Sequence, residues 1–217
     1  MEKRPLEESK YFIGIAGNIG VGKTTMTDII AKRFGWRAYY ESVIDNPYLE
    51  EFYENMKRWS FNLQVYFLSH RFRTHKDMTE ASGSAIQDRT IYEDVEIFAR
   101  NLYDMGNMSQ RDWDNYRALF DIMTSYLKKP NLILYLRATV DTLLTRIKKR
   151  SRDFEREISP EYIYSLNLSY ERWIREESKR NRILIVETDN FNVFEDEEKL
   201  EEILRKIREI CPEAPKK

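Results

Sequence analysis

The stretch IAGNIGVGKTT, residues 15–25, sets three glycines, a lysine and two threonines between an apolar run and a segment of helical periodicity. Gly17, four intervening residues, then Gly22, Lys23 and Thr24 is the spacing of a phosphate-binding loop, and the strand before it and helix after it supply the context that pattern needs. Glycines let successive backbone N–H groups curl around an anion, the lysine reaches the outer phosphates, and the threonine hydroxyl takes a place on Mg²⁺. The positive end of the following helix adds to the attraction. Gly17, Asn18, Ile19, Gly20, Val21, Gly22, Lys23, Thr24 and Thr25 are therefore the candidates for holding the phosphates of a nucleoside triphosphate. A turn that merely links strand to helix would match by accident in roughly one chain in a hundred at typical residue frequencies, so the phosphate reading is preferred.

Such a loop serves switches, motors and kinases alike, and other residues must decide between them. Glu41 ends the second β-like run, where strand carboxyl ends line the ligand crevice, and a carboxylate there could accept a proton from a hydroxyl acceptor. An isolated glutamate in that position is otherwise solvated surface. Asp88-Arg89 closes the third run in the same way, bringing an acid that can reach Mg²⁺ and a guanidinium that can reach phosphate. In RIKKRSRDFE, Arg146 and Arg150 lie four apart on one helical face and Arg152 follows at the turn. A charge run is ordinarily a solvated face, but this one follows the fourth run and its helix, where phosphoryl-transfer enzymes carry a basic flap that neutralises the transferring group.

These residues need elements to hold them. Runs 11–17, 37–41, 84–89, 131–137 and 182–187 read as strands, several too apolar for a face in water, and alternate with longer helical patterns. Asn46 before Pro47, and Ser159 before Pro160 with Glu161, are expected helix starts; Ser109 with Asp112 resembles a capping box, and Gly83 and Gly106 sit where helices should stop. The order specifies one doubly wound α/β domain with a five-stranded parallel sheet. The 217 residues, 41% hydrophobic, suffice for one sizeable core. Thirty-six basic residues nearly cancel 37 acidic ones, so no overall field draws nucleic acid or an anionic membrane. The single cysteine, Cys211, is expected in a polar tail, where a free thiol favours a reducing cytosol. The opening MEKRPLEESK is charged and leads into no export signal, and no apolar run reaches membrane-spanning length. LFDIMTSYL (119–127) and LEEILRKI (200–207) read as core or dimer contact, and His70 and His75 as structural.

Taken together, GNIGVGKTT, ESVIDNPYLEEFYENMKRWSFNLQVYFLSHRF, QDRTIYEDVEIFARNLY and RIKKRSRDFE resemble the deoxynucleoside kinase family, most closely its bacterial deoxyadenosine/deoxyguanosine kinase branch, over about residues 11 to 190. The resemblance implies a homodimer of phosphate-loop domains that transfers the γ-phosphoryl of ATP, with Mg²⁺, to the 5′-hydroxyl of a deoxynucleoside, deoxyadenosine first. It places the general base on Glu41, although proline often follows that residue in the family and Ser42 stands here. It places base recognition on Gln64, Arg71 and Asp94, with Phe98 stacking on the base, and the sugar 3′-hydroxyl on Tyr53 and Glu155. The spacing agrees in part: Gln64 and Arg71 are two helical turns apart on one face, and an amide offers a base edge both donor and acceptor. Arg89 is implied to bridge acceptor and phosphates, Asp88 to reach Mg²⁺ although relatives often carry glutamate there, and Arg146, Arg150 and Arg152 to form a LID over about 146–158. TDNFNVFED, 188–196, is expected over the adenine of ATP.

Rival readings are a deoxyguanosine or deoxycytidine kinase, and a nucleoside monophosphate kinase in which Arg71 or Arg89 holds the acceptor's own phosphate. A guanine-nucleotide switch would need an Asn-Lys-x-Asp run, which is missing from the sequence. A non-catalytic nucleotide-binding protein leaves the base, metal and flap residues without a purpose.

Overall fold

The computed structural model describes residues 10–40, 46–152, 155 and 158–212. The five short β-like runs become β1 (Phe12–Ala16), β2 (Arg37–Tyr39), β3 (Ala85–Asp88), β4 (Leu132–Arg137) and β5 (Ile183–Glu187). All pair in parallel in the order β2-β3-β1-β4-β5. Ile13 lies opposite Ile86 on one side and Leu132 on the other. β1 and β3 are buried at every position, as strands covered by helices on both faces must be, whereas the edge strand β5 leaves Ile185 exposed. With β1 in the middle, the loop leaving it opens at the crevice where strand order reverses.

The helices are α1 (Lys23–Phe34), α2 (Leu49–Glu54), α3 (Met56–Glu80), α4 (Ile91–Glu93), α5 (Arg100–Asp104), α6 (Gln110–Thr124), α7 (Val140–Arg150), α8 (Pro160–Glu177) and α9 (Glu197–Ile210). A π-helical turn, Asp94–Ala99, joins α4 to α5. Along α3 the buried stripe runs Ser60, Leu63, Gln64, Leu68, Arg71, His75, Met78. A glutamine and an arginine thus occupy positions that apolar residues ordinarily fill. Behind that stripe, Leu68, Ile91, Val95, Trp113, Tyr116 and Phe120 form a second apolar cluster beside the main core around the sheet.

Local expectations hold at most helix ends. Ser159 accepts the Tyr162 N–H with Pro160 in the first turn, and Gly106 turns left-handed (φ 75°) just past α5. Ser109 accepts the Asp112 N–H, while its own hydroxyl donates to the Asp112 carboxylate, so only half of a capping box forms. Asn46 does not cap a helix: its Oδ1 accepts the Tyr48 N–H at 2.9 Å, closing a turn, and α2 begins later at Leu49. Cys211 does not lie in a polar tail either. It is fully buried below α9, next along the stripe of Leu200, Ile203, Leu204 and Ile207, and burial pushes its thiol up to about 11. The α9 stripe is core. The 119–127 stripe is split, with Phe120 buried and Ile122 and Tyr126 exposed. Among the described residues no helix is long and apolar enough to cross a membrane.

Candidate active site

The phosphate loop adopts the backbone its glycines allow, with φ of 148°, 84° and 104° at Gly17, Gly20 and Gly22. At Gly17 close approach matters too, because a Cβ would lie 2.7 Å from the Leu136 carbonyl oxygen. Lys23 is nearly buried, and its ammonium donates to the carbonyls of Gly17 (2.9 Å) and Asn18 (3.1 Å), spanning the loop where an anion would sit. Asn18 anchors the loop from the other side: its amide donates to Ile163 O on α8 and its Oδ1 accepts the Ile19 N–H. Ile19, Gly20, Gly22, Thr24 and Thr25 then line the mouth of a cleft of about 520 Å³, a size suited to a small molecule.

Thr24, in the first turn of α1, donates its hydroxyl to Asp88 Oδ2 at 2.5 Å. The other oxygen, Asp88 Oδ1, is buried and has no hydrogen-bond partner among the described residues. A hard oxygen pair with one lone carboxylate oxygen suits Mg²⁺, which takes one or two protein carboxylates and completes its shell with phosphates and water. Arg89 follows directly and is held from several directions in left-handed backbone (φ 67°). Its N–H donates to Ile15 O (3.0 Å), its carbonyl accepts from Arg71 (3.1 Å), and its guanidinium carbon lies 4.3 Å over the Phe98 ring. Phe98 therefore borders the cleft while carrying a cation on one face.

The far wall comes from α3 and the π-helical turn. Arg71 Nε donates to Asp94 Oδ2 at 2.6 Å, both side chains being 5% exposed or less. Gln64 is equally buried, and its Oε1 has no hydrogen-bond partner among the described residues. Native interiors rarely leave such an atom unmet, so an acceptor awaiting a donor from within the cleft is the natural explanation. Tyr53 lines the same cleft. From the third side, Arg150 Nε donates to Glu155 Oε2 at 2.8 Å and Arg152 lies 3.7 Å from Glu155 Oε1. Glu155, the expected sugar contact, is thus already engaged by flap arginines.

The three arginines do not gather at one place. Arg146 donates to Val21 O (3.2 Å) and to the Thr188 hydroxyl (3.1 Å), facing an adjoining cleft of about 510 Å³. Thr188 to Phe194 line that second cleft, the ring of Phe191 and the exposed Phe194 among them. Glu41, the expected proton acceptor, lies outside the described residues, as do Asp153, Phe154, Arg156 and Glu157 of the flap.

Sequence reasoning missed Glu93. It is fully buried, and its carboxylate accepts the N–H groups of Thr90 (2.9 Å) and Gly17 (3.2 Å) and the Tyr170 hydroxyl (2.7 Å). Thr90-x-x-Glu93, a capping box directly after Asp88-Arg89, was the legible signal. Of the two histidines, His75 is buried against the Lys128 carbonyl and His70 stacks on Tyr66.

Residues 13–212 match the family model of deoxynucleoside kinase. The chain is 40% identical to the deoxyadenosine/deoxycytidine kinase of Bacillus subtilis, over 94% of this chain and 95% of that one. It is 35% identical to a deoxyguanosine kinase of the same organism, over 92% and 97%. Among solved structures it is similar to deoxyadenosine kinase from M. mycoides with bound dCTP, with a TM-score of 0.81 and 31% identity over 91% of this chain and 99% of that one.

Proposed function

This chain belongs to the deoxynucleoside kinase family and is a phosphotransferase, and on that premise we propose that it transfers the γ-phosphoryl of ATP to the 5′-hydroxyl of deoxyadenosine. The observation that carries the reading is the single cleft that Gln64, whose buried Oε1 has no hydrogen-bond partner among the described residues, lines together with Lys23 and Thr24. One end of that space is built for an uncharged, hydrogen-bonding base and the other for phosphate.

In this account Gln64 and the Arg71–Asp94 pair read the base edge, Phe98 packs against the base, and Tyr53 with Glu155 holds the 3′-hydroxyl. Glu155 must then turn from Arg150 toward the sugar, which ties seating of the acceptor to release of a flap arginine onto the phosphates. Glu41 takes the proton from the 5′-hydroxyl as it attacks in line. Lys23, Arg89, Arg150 and Arg152 meet the charge that spreads over the phosphoryl oxygens, and Arg146 holds the nucleotide side of the loop. Thr24 and Asp88 would hold Mg²⁺, which when bound neutralises the outer phosphates. The residues form one domain with a LID at about 146–158, working as a homodimer in the cytosol on a small-molecule acceptor.

A relative at 40% identity whose name joins deoxyadenosine and deoxycytidine supports deoxyadenosine over deoxyguanosine as first acceptor. Incubation with ATP and, separately, deoxyadenosine, deoxyguanosine, deoxycytidine, thymidine or deoxyadenosine monophosphate, followed by ADP release, tests this. Fastest release with deoxyadenosine is expected. Faster release with the monophosphate would transfer Arg71 or Arg89 to binding an acceptor phosphate and overturn the reading.

A further inference from the structure

Glu93 bears a carboxylate where a neutral cap would serve α4. Taking a carboxylate out of water is costly unless its partners use the charge, and here the partners come from three separate parts of the chain. One oxygen accepts the N–H of Thr90, the residue that caps α4. The other, Oε2, accepts both the first N–H of the phosphate loop, at Gly17, and the hydroxyl of Tyr170 on α8. The Tyr170 oxygen also accepts from Arg89 Nη1 at 2.9 Å, and Arg89 Nη1 and Glu93 Oε2 form an ion pair at 4.0 Å, so the three groups close a triangle. The phenol therefore sits between a guanidinium and a carboxylate. Burial, reinforced by Glu93 against the opposing pull of Arg89, keeps that phenol protonated, so the direction is fixed: Arg89 donates to tyrosine and tyrosine donates to glutamate. Arg89 is one of the cations lining the cleft, and α8 is the helix that follows the arginine-rich segment.

We propose that Tyr170 and Glu93 are positioning residues: a buried relay that aims Arg89 at the transferring phosphoryl group and ties its aim to the first amide of the phosphate loop. The relay deepens the functional reading above and rests on it. Because Tyr170 does not line the cleft, its effect on turnover passes through Arg89, whereas Glu93 also holds the phosphate loop directly at Gly17.

A double-mutant cycle with labelled ATP and deoxyadenosine tests this. Tyr170→Phe removes the hydroxyl and leaves the ring packed on Tyr135. It should lower kcat/KM about ten- to a hundredfold, the range for losing one hydrogen bond to a charged group, yet less than about twofold when Arg89 is already alanine. Equal losses in both backgrounds, or no loss with Arg89 intact, would overturn the relay. In Glu93→Gln the part of the loss that depends on Arg89 should match that of Tyr170→Phe, the remainder belonging to its own bond to Gly17. Melting curves identify a variant that fails to fold, and Arg89→Met, which keeps a stem of similar length without a donor, replaces the alanine background in that event with the same expectation. The wild-type rate judges the functional reading separately: if the wild type phosphorylates no deoxynucleoside, that reading falls. The relay is then judged by the same cycle on the rise in melting temperature with Mg·ATP, where shifts that simply add would refute it.

Discussion

Replacing Gln64 with leucine should make the protein more stable and a worse enzyme. The amide is 2% exposed and its Oε1 meets no partner among the described residues, a condition that costs about 1–3 kcal/mol in a folded protein. Leucine fills similar space without that cost, and the neighbouring Leu63 and Phe67 offer it apolar company. A gain of about 1 kcal/mol corresponds to a rise of about 2–4 °C in melting temperature for a chain of this size. Deoxyadenosine would lose both a donor and an acceptor, leaving its own base-edge atoms unmet. At about 1–3 kcal/mol for each, a loss near 3 kcal/mol is expected, or about 150-fold in kcat/KM. Thermal melts and steady-state kinetics on the same preparation read both signs, with the KM for ATP as an internal control that should not move. A melting temperature that falls while kcat/KM is retained would mean that Gln64 serves the fold, and the acceptor site would have to be sought elsewhere.

Arg71→Met breaks the buried ion pair with Asp94 and should cost about 3–5 kcal/mol in denaturant unfolding, whereas Arg71→Met with Asp94→Leu should recover most stability but no deoxynucleoside turnover. Gly14→Ala sets a Cβ 2.3 Å from Thr90 Cγ2 and should destabilise by about 1–3 kcal/mol; Thr90→Ser, which deletes that methyl and keeps the hydroxyl, should restore most of the melting temperature. Burial holds His75 below its ordinary 6.5 against the raising effect of its bond to Lys128 O, so the unfolded chain binds the extra proton more readily. Its contribution is present above pH 6.5 and lost as pH falls below it, and His75→Leu should flatten the drop in denaturant midpoint between pH 7.5 and 5.

The sheet was legible because β1, β4 and β5 are apolar runs and β2 and β3 stand between helical patterns, and the five observed strands fall inside the runs read from sequence. The phosphate loop was legible because its glycines are demanded by backbone angles that few other residues adopt. What stayed hidden depends on contacts between distant segments. The π-helical turn at Asp94–Ala99 carries Asp94 to Arg71 and Phe98 to Arg89, contacts that periodicity does not show. Arg146 and Arg150 share a helical face as expected, yet that face crosses the phosphate loop, so one turn separates the two clefts they serve. Cys211 was readable and misread, since it extends the three-and-four spacing of α9 by one more turn before the proline and charges begin. Glu93 was disguised as a helix cap, which it also is.

The most direct measurement is single-turnover transfer from γ-labelled ATP to deoxyadenosine by the Glu41→Gln protein. A rate lower by about 10²–10⁴, with ATP still bound at wild-type strength, is the expected result for loss of a general base. An unchanged transfer rate would contradict the proton path from which the rest of the catalytic account proceeds.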